Sequence, residues 1–244
     1  MDYGILIYII FGILPSLIWL FYYLAKDLHP EPKKMIIRIF LWGCFITLPV
    51  FFVQIGLTRL LNTTGLTPNN LIWGLIYWFL IISFSEEFFK YLVVKVKVIG
   101  SHHLDEPLDI MLYSVVSALG FAAVENILYL FTPVGQMSLE QLMSRTLFIM
   151  LIRFVGATFL HTLCSSIIGY SLAISICEAK RKKTIVATGI IMAVALHGLY
   201  NFFIIKLPDP IGYIILAIII LTLAFLVFIG FEKLKKMKSI CKIN

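Results

Sequence analysis

The sequence predicts an all-α polytopic membrane protein, a bundle of about seven transmembrane helices that forms one domain over residues 1–244. Of the 244 residues, 61% are hydrophobic and 14% are charged, whereas a soluble domain carries about 25% charged residues. The apolar residues fall into long separate runs, and most basic residues lie between those runs. These observations exclude a soluble protein and predict a multi-pass protein of the cell membrane, in contact with lipid.

Each spanning helix is expected to be an apolar run of about 20 residues, the length that crosses the hydrocarbon core of a bilayer. Such runs occur at residues 4–24, 35–57, 71–94, 108–131, 147–176, 184–205 and 211–231. The fifth run is long enough to tilt or to extend beyond the lipid. The segments between the runs are short, so no appended soluble domain is expected.

The distribution of lysine and arginine predicts the orientation in the membrane. Most of the 20 basic residues lie in or beside the loops after the first, third and fifth runs, or in the C-terminal tail. The other side has Arg59, Arg145 and Lys206. Because cytoplasmic loops carry an excess of Lys and Arg, the N-terminus is predicted to lie outside and the C-terminus in the cytoplasm. This topology explains the net charge of +7, and nucleic acid is not an expected partner.

The third run contains two adjacent glutamates and a lysine, Glu86, Glu87 and Lys90. A charged side chain at the centre of a spanning helix costs at least about 2.5–3.5 kcal/mol, so it usually serves a function. Glu86 and Lys90 are i,i+4 neighbours and can pair on one face, which leaves Glu87 freer to face another helix or a cavity. A simpler interpretation is that both carboxylates reach water at the end of the span, but the apolar residues 91–94 argue against it.

Charged residues also occur in the fourth and fifth runs, at Glu125 and Arg153. Glycine and alanine at positions 120, 122 and 123 allow a neighbouring helix to approach Glu125 closely. Arg153 lies at a similar estimated depth in the next run. A structural Glu125–Arg153 ion pair and a catalytic role for Glu125 are therefore both compatible with the sequence.

Two histidines lie in the fifth and sixth runs, at His161 and His197, and Asn201 shares a helix face with His197. A single histidine in an apolar helix usually has a packing role. Two histidines on separate spans, together with three glutamates, favour one shared site. Straight, upright helices would nevertheless place His197 about 10 Å nearer the outer surface than Glu87, which conflicts with a shared site.

Glutamate and histidine in such a site are compatible with two kinds of chemistry. A desolvated glutamate can act as a general base on water, with histidine stabilising the developing charge. Alternatively, two histidines and a glutamate can hold zinc and leave one position open for water, with Glu87, His161 and His197 as the expected ligands. The sequence has no HExxH motif, so zinc stays one of two possibilities.

The arrangement of these residues resembles the PrsW family of intramembrane proteases, in the superfamily that includes the CAAX prenyl proteases. The EExxK motif of the family matches residues 86–90, its FxxxE motif matches 121–125, its third motif matches His161, and its final motif matches His197 and Asn201. Two loop segments, at residues 30–32 and 106–109, are similar to its Pro-Glu-Pro and EPxDG segments, except that Ile110 replaces the usual glycine.

This resemblance implies an endopeptidase that cleaves a membrane-anchored protein, as in the first cleavage of a single-span anti-sigma factor. It also implies that Glu86 or Glu87 activates water, that Glu125, His161 and His197 stabilise the reacting group, and that Asn201 orients His197. Two alternatives from other classes are a proton-coupled transporter, with the charged residues lining a pathway, and a membrane scaffold without catalysis.

Overall fold

The computed structural model describes residues 3–27, 29–102, 104–132, 137–206 and 210–237, and the regular structure in these ranges is helical. Lys238 and Lys242, two of the tail lysines used to predict the orientation, lie outside the described residues. Seven helices are long and apolar enough to cross a membrane, which confirms the predicted number of spans. They are Gly4–Leu24, Lys33–Asn62, Leu71–Lys97, Pro107–Leu130, Leu139–Cys177, Lys182–Lys206 and Ile211–Lys235.

The third and fifth spans each contain a π-helical segment. In chain order the elements are α1 (Tyr3–Leu24), α2 (Lys33–Asn62), α3 (Leu71–Leu75), π1 (Ile76–Ser83), α4 (Phe84–Lys97), α5 (Pro107–Leu130), α6 (Leu139–Arg153), π2 (Phe154–Thr158), α7 (Phe159–Cys177), a short 3₁₀ turn (Ala179–Arg181), α8 (Lys182–Lys206) and α9 (Ile211–Lys235). We call the membrane face at which α1, α4, α7 and α9 end the basic face, since Lys26, Lys97, Lys182 and Lys235 lie there.

The fifth span begins at Leu139, eight residues before the start predicted from hydropathy. Ser138 Oγ accepts a hydrogen bond from the backbone of Gln141, and the Gln141 side chain accepts one from the backbone of Ser138. This capping box satisfies backbone donors that would otherwise have no partner at the helix start. The prediction from hydropathy omitted these residues because most of them are polar. The cap rather than the lipid therefore sets where the helix begins.

α5 lies at the centre of the bundle, buried along almost its whole length, and packs against α1, α2, α4 and α7. Its crossing with α2 is close because Gly43 and Gly120 face each other's helix. A β carbon at Gly43 would meet the carbonyl oxygen of Ser117, and one at Gly120 would meet that of Phe40. Small residues at such crossings let two membrane helices approach closely, so this pair fixes how α5 sits against α2.

Gly120→Val is therefore expected to destabilise the fold. Overpacking a well-packed interior typically costs about 1–3 kcal/mol, and the clash here is with backbone that cannot rotate away, so we expect the upper end of that range. Gly56→Ala is the matched control, because no atom lies within 4 Å of a β carbon at that position. Unfolding in mixed SDS micelles measures both, and equal midpoints for Gly120→Val and the wild type would contradict the close crossing.

At the basic face, the two loop segments noted in the sequence join α1–α2 to the start of α5. Tyr113 donates a hydrogen bond to Glu31 Oε2 at 2.5 Å, and burial raises the pKa of Glu31. Asp109 Oδ2 accepts from the backbone nitrogens of Asp105 and Glu106 at 3.2 and 2.8 Å. Both segments thus have a structural role here: they anchor the loop and cap α5, the helix that carries Glu125.

Candidate active site

The predicted acids and histidines come together at one point inside the bundle. Glu86 and Glu87 lie in the first turn of α4, Glu125 in α5, His161 in α7 and His197 in α8. The side chain of Glu125 is 22% exposed, and the other four residues are each less than 5% exposed. Four spans thus contribute to a single buried polar cluster.

The two π-helical segments lie directly before this cluster. π1 ends at Ser83, three residues before Glu86, and π2 ends at Thr158, three residues before His161. A π-helix has more residues per turn than an α-helix, and such segments are frequent at functional sites. Straight α-helices at 1.5 Å per residue predicted that His197 lies about 10 Å nearer the outer surface than Glu87. That prediction was wrong, since His197 Nδ1 lies 2.9 Å from Glu87 Oε1.

Glu87 is bonded on both carboxylate oxygens. Its Oε1 accepts a hydrogen bond from Lys90 Nζ at 2.6 Å and lies 2.9 Å from His197 Nδ1, and its Oε2 accepts from Ser165 at 3.5 Å. The Glu86–Lys90 pair that the i,i+4 spacing allows does not form, and Lys90 pairs with its i,i+3 neighbour Glu87 instead. Residues three and four apart are both neighbours on a helix, and the i,i+3 choice also brings the ammonium to His161.

His161 links this ion pair to a second one. Lys90 Nζ lies 2.9 Å from His161 Nδ1, and an ammonium has no acceptor, so Nδ1 accepts and Nε2 carries the ring proton. Nε2 then donates to Glu125 Oε2 at 2.8 Å, and Arg153 donates to the same oxygen at 2.7 Å. Arg153 also donates to Asn126 Oδ1 at 2.5 Å. The predicted Glu125–Arg153 ion pair is confirmed, and it also orients the histidine.

Glu86 differs from Glu87 in having one oxygen without a hydrogen-bond partner among the described residues. Gln54 Nε2 donates to its Oε1 at 3.1 Å, whereas its Oε2 is buried and unpartnered. That Oε2 lies 4.0 Å from His161 Nδ1 and 3.9 Å from His197 Nε2. Sequence reasoning missed Gln54, although an amide in an otherwise apolar span is a signal that could have identified it.

The residues present fit a divalent metal such as zinc. Glu86, His161 and His197 each offer one ligand atom, and these atoms all lie within 4.8 Å of one another. Metal-binding histidines almost always donate their other ring N–H to a carboxylate or carbonyl. Here Glu125 accepts from His161 and Glu87 accepts from His197. This set differs from the expected one, because Glu86 occupies the place expected for Glu87, which lies behind His197.

A cavity of about 260 Å³ leads to this cluster from the half of the bundle away from the basic face. Glu125, Arg153, His161, His197 and Asn201 give it a polar wall, and its apolar wall includes Ile149, Ile152, Ile204 and Ile205. Ile152 and Ile205 are 46% and 62% exposed. α6 and α8, which carry these isoleucines, make almost no contact within the described part of the chain. The cavity therefore has an apolar rim where α6 diverges from α8, although α7 of the same fifth span packs against α8.

Asn201 lines this cavity together with His197, because residues four positions apart lie on the same face of a helix. No hydrogen bond joins it to His197 within the described ranges, and the Nδ1 of His197 is held by Glu87 instead. The position of Asn201 in the cavity wall leaves both its amide donor and its acceptor available to a molecule that enters. The role of orienting His197, expected for Asn201, thus falls to Glu87.

Comparison with known proteins identifies the family. The family model for the PrsW family intramembrane metalloprotease matches residues 31–229. This chain belongs to the PrsW family. It is similar to the protease PrsW of Oceanobacillus iheyensis, with 31% identity over 78% of this chain and 80% of that protein. It is also 29% identical to the protease PrsW of Bacillus subtilis, over 96% of this chain and 95% of that protein. No solved structure matches the chain.

Membership of the PrsW family makes the chain a multi-pass intramembrane protease that acts on a protein substrate. A transporter and a scaffold, the two alternatives drawn from the sequence, are set aside by this result. The matched range of the family model includes every residue of the polar cluster. The geometry of that cluster can therefore be interpreted as the chemistry of peptide-bond hydrolysis.

Proposed function

We propose that the chain hydrolyses a peptide bond in a single-span membrane protein, with Glu86, His161 and His197 holding a catalytic zinc. The observation that carries this proposal is the pair of histidines, each with a carboxylate behind it, that face the unpartnered oxygen of Glu86. Bound zinc would polarise a carbonyl and lower the pKa of a water. Two histidines and one glutamate are a common ligand set of catalytic zinc sites.

The surrounding residues have distinct roles in this proposal. Glu87 holds the proton on Nδ1 of His197, so that Nε2 keeps its lone pair, and Lys90 balances the charge of Glu87. Glu125 holds the Nε2 proton of His161 in the same way, with Arg153 as its partner. Zinc on Nδ1 of His161 would displace the hydrogen bond from Lys90 Nζ, which would keep its ion pair with Glu87. Asn201 would hydrogen-bond the backbone of the substrate, because an amide offers both a donor and an acceptor.

A second route does not need a metal and rests on the same oxygen. Glu86 Oε2 is buried, carries no hydrogen bond among the described residues, and lies within 4.0 Å of both histidines. A general base needs such an available oxygen, and a desolvated carboxylate is a stronger base than an exposed one. Under both routes Glu86, rather than Glu87, is therefore the glutamate of the EExxK motif that would act on the water or bind the metal.

The substrate would enter from the membrane, between α6 and α8, in the outer half of the bilayer. The positive-inside rule makes the basic face cytoplasmic. Glu125 and Asn201 each lie five residues before the end of their helix at the opposite face, which is about 8 Å along the axis. A single-span protein such as an anti-sigma factor, cleaved near the outer surface, fits a cavity at that depth.

Entry by this route predicts that bulk at the cavity rim blocks cleavage. Ile152→Trp and Ile205→Trp are each expected to lower kcat/KM for a single-span substrate about tenfold or more, because a tryptophan narrows the gap between α6 and α8. Ile191→Trp is the matched control, since Ile191 is on α8, 67% exposed, and outside the cavity. The assay uses purified protein and substrate in proteoliposomes, with and without a strong chelator.

The outcomes separate the parts of the proposal. Inhibition by the chelator, reversed by added zinc, supports the metal route, whereas full activity in the chelator supports Glu86 as a general base. Equal rates for the rim variants and the Ile191→Trp control would contradict entry between α6 and α8. A wild type that fails to cleave any single-span substrate would contradict the substrate class.

A further inference from the structure

A second cavity lies on the other side of the bundle, apart from the active site. It has a volume of about 550 Å³ and lies between α1, α9 and the π2–α7 segment. Its walls are mainly aromatic and aliphatic, with Trp19, Tyr23 and Phe159 among them, and the charged residues Lys26, Glu232 and Lys235 line one end. Volumes of about 300–1,000 Å³ are typical of ligand sites.

The cavity has the length of one leaflet of a bilayer. Its lining runs from Ile18 on α1 to Lys26 in the turn that follows it, and from Ala224 to Lys235 on α9. At 1.5 Å per residue these stretches are about 12 and 17 Å long, and half of the hydrocarbon core is about 15 Å. Within the described residues α1 and α9 make almost no contact, so the cavity faces lipid between them.

The wall around Trp19 and Tyr23 presents hydrocarbon, because the polar atoms of these two side chains are already bonded within the protein. The indole nitrogen of Trp19 donates to the backbone oxygen of Phe154 at 2.9 Å. The hydroxyl oxygens of Tyr23 and Thr162 lie 3.0 Å apart in a buried hydrogen bond. An occupant of this part of the cavity therefore finds apolar surface, which an acyl chain matches and which a polar ligand does not.

The open end at the basic face carries two lysines and one glutamate. Lys26 lies at the end of α1, and Lys235 lies at the end of α9, 3.7 Å from Glu232. The net charge of these three side chains is positive, which complements the single negative charge of a phosphodiester. Basic pockets between spanning helices at the cytoplasmic side bind anionic lipid head groups.

We propose that this cavity, which we call the lipid cavity, binds a phospholipid from the leaflet at the basic face. One acyl chain would lie along the apolar wall between α1 and α9, and Lys26 and Lys235 would contact the phosphate. The lipid cavity is separate from the active-site cavity but lies beside the helical segment that carries His161. Trp19 stacks on Phe159 with ring centroids 4.3 Å apart, so the lipid packs against the segment that leads into His161.

Native mass spectrometry of the full chain, released from detergent micelles, tests this site. The protein is titrated with phosphatidylglycerol, phosphatidylethanolamine and diacylglycerol. We expect the first lipid molecule on each protein to bind more tightly than any further molecules. Both phospholipids should outcompete diacylglycerol for this first binding event, because diacylglycerol has no phosphate. Lys26→Ala/Lys235→Ala is expected to weaken that first binding event about 30-fold, since each lysine near a lipid phosphate is worth about fivefold.

Two further variants make the result specific to the cavity. Lys33→Ala/Lys236→Ala removes the same charge from the same face at exposed positions outside the lining, and it should bind phospholipid like the wild type. Ala224→Phe fills the apolar wall without changing charge and should also remove the tight event. If both double-lysine variants lost the same affinity for phospholipid, or if Ala224→Phe bound it like the wild type, only annular lipid would be present. Either result would overturn the proposal.

Discussion

Glu86→Gln is expected to lower the rate of peptide-bond cleavage by a factor of about 100 or more, the size of effect that loss of an acid–base group produces. The physical reason is the carboxylate oxygen that no described residue satisfies, 3.9–4.0 Å from a nitrogen of each histidine. Glutamine keeps the shape of the side chain and can still accept the hydrogen bond from Gln54. The variant should therefore fold, which a thermal unfolding curve in detergent checks.

Zinc content decides which role Glu86 has. If Glu86 is a ligand, purified Glu86→Gln should hold zinc at least about tenfold more weakly than the wild type, as measured by competition with a chromogenic chelator. If Glu86 is instead a general base in a site without a metal, its removal should abolish cleavage, and neither the wild type nor the variant should hold zinc. Glu140→Gln is the control, because it removes a carboxylate from the start of α6, outside the cavity. Wild-type cleavage by Glu86→Gln would contradict both roles.

The bundle and its polar residues were predictable because both depend on transfer free energy. Apolar runs of about 20 residues identify spanning helices almost regardless of their neighbours. The high cost of burying charge likewise identified Glu125, Arg153 and the histidines as residues that need partners. The Glu125–Arg153 pair could be named in advance because the two residues lie at similar depths on consecutive spans.

The direction in which each glutamate points was not predictable, because it depends on the π-helical segments. Successive residues in an α-helix are about 100° apart, so one additional residue in a turn moves every later side chain to another face. π1 lies directly before α4, so a single step in it rotates all of α4 and decides whether Glu86 or Glu87 faces His197 and Ser165 on the other spans. Nothing in the apolar residues of π1 distinguishes them from an ordinary spanning helix. The sequence therefore identified the pair of glutamates but not their roles.

Gln54 and Ser165 illustrate a related limit. Both contact the glutamate pair, Gln54 at Glu86 and Ser165 at Glu87, but they lie on spans whose packing against α4 is a tertiary property. An uncharged polar residue costs less free energy to bury in the membrane than a charged one, so a spanning helix can contain it for many reasons. Its presence alone therefore does not assign it to a site. It becomes informative only when the neighbouring helices are placed.

Lys90→Met is expected to destabilise the folded protein by about 3–5 kcal/mol, the usual cost of removing one partner from a buried ion pair. Lys90 is 1% exposed and Glu87 is 0% exposed, so the carboxylate would be left charged and uncompensated. The same change removes the donor to Nδ1 of His161. Unfolding in mixed SDS micelles measures the stability, with Lys95→Met as the control, an exposed lysine on the same helix.

A double-mutant cycle shows whether the loss arises from the pair itself. Glu87→Gln removes the charge that Lys90→Met leaves without a partner, so the double variant should be more stable than the sum of the two single losses predicts. Contacting residues in one ion-pair network typically show interaction energies of about 0.5–3 kcal/mol. Additive losses would contradict direct pairing. The double variant should recover stability without recovering wild-type cleavage, because the neutral amide at position 87 would accept from Nδ1 of His197 more weakly than the carboxylate does.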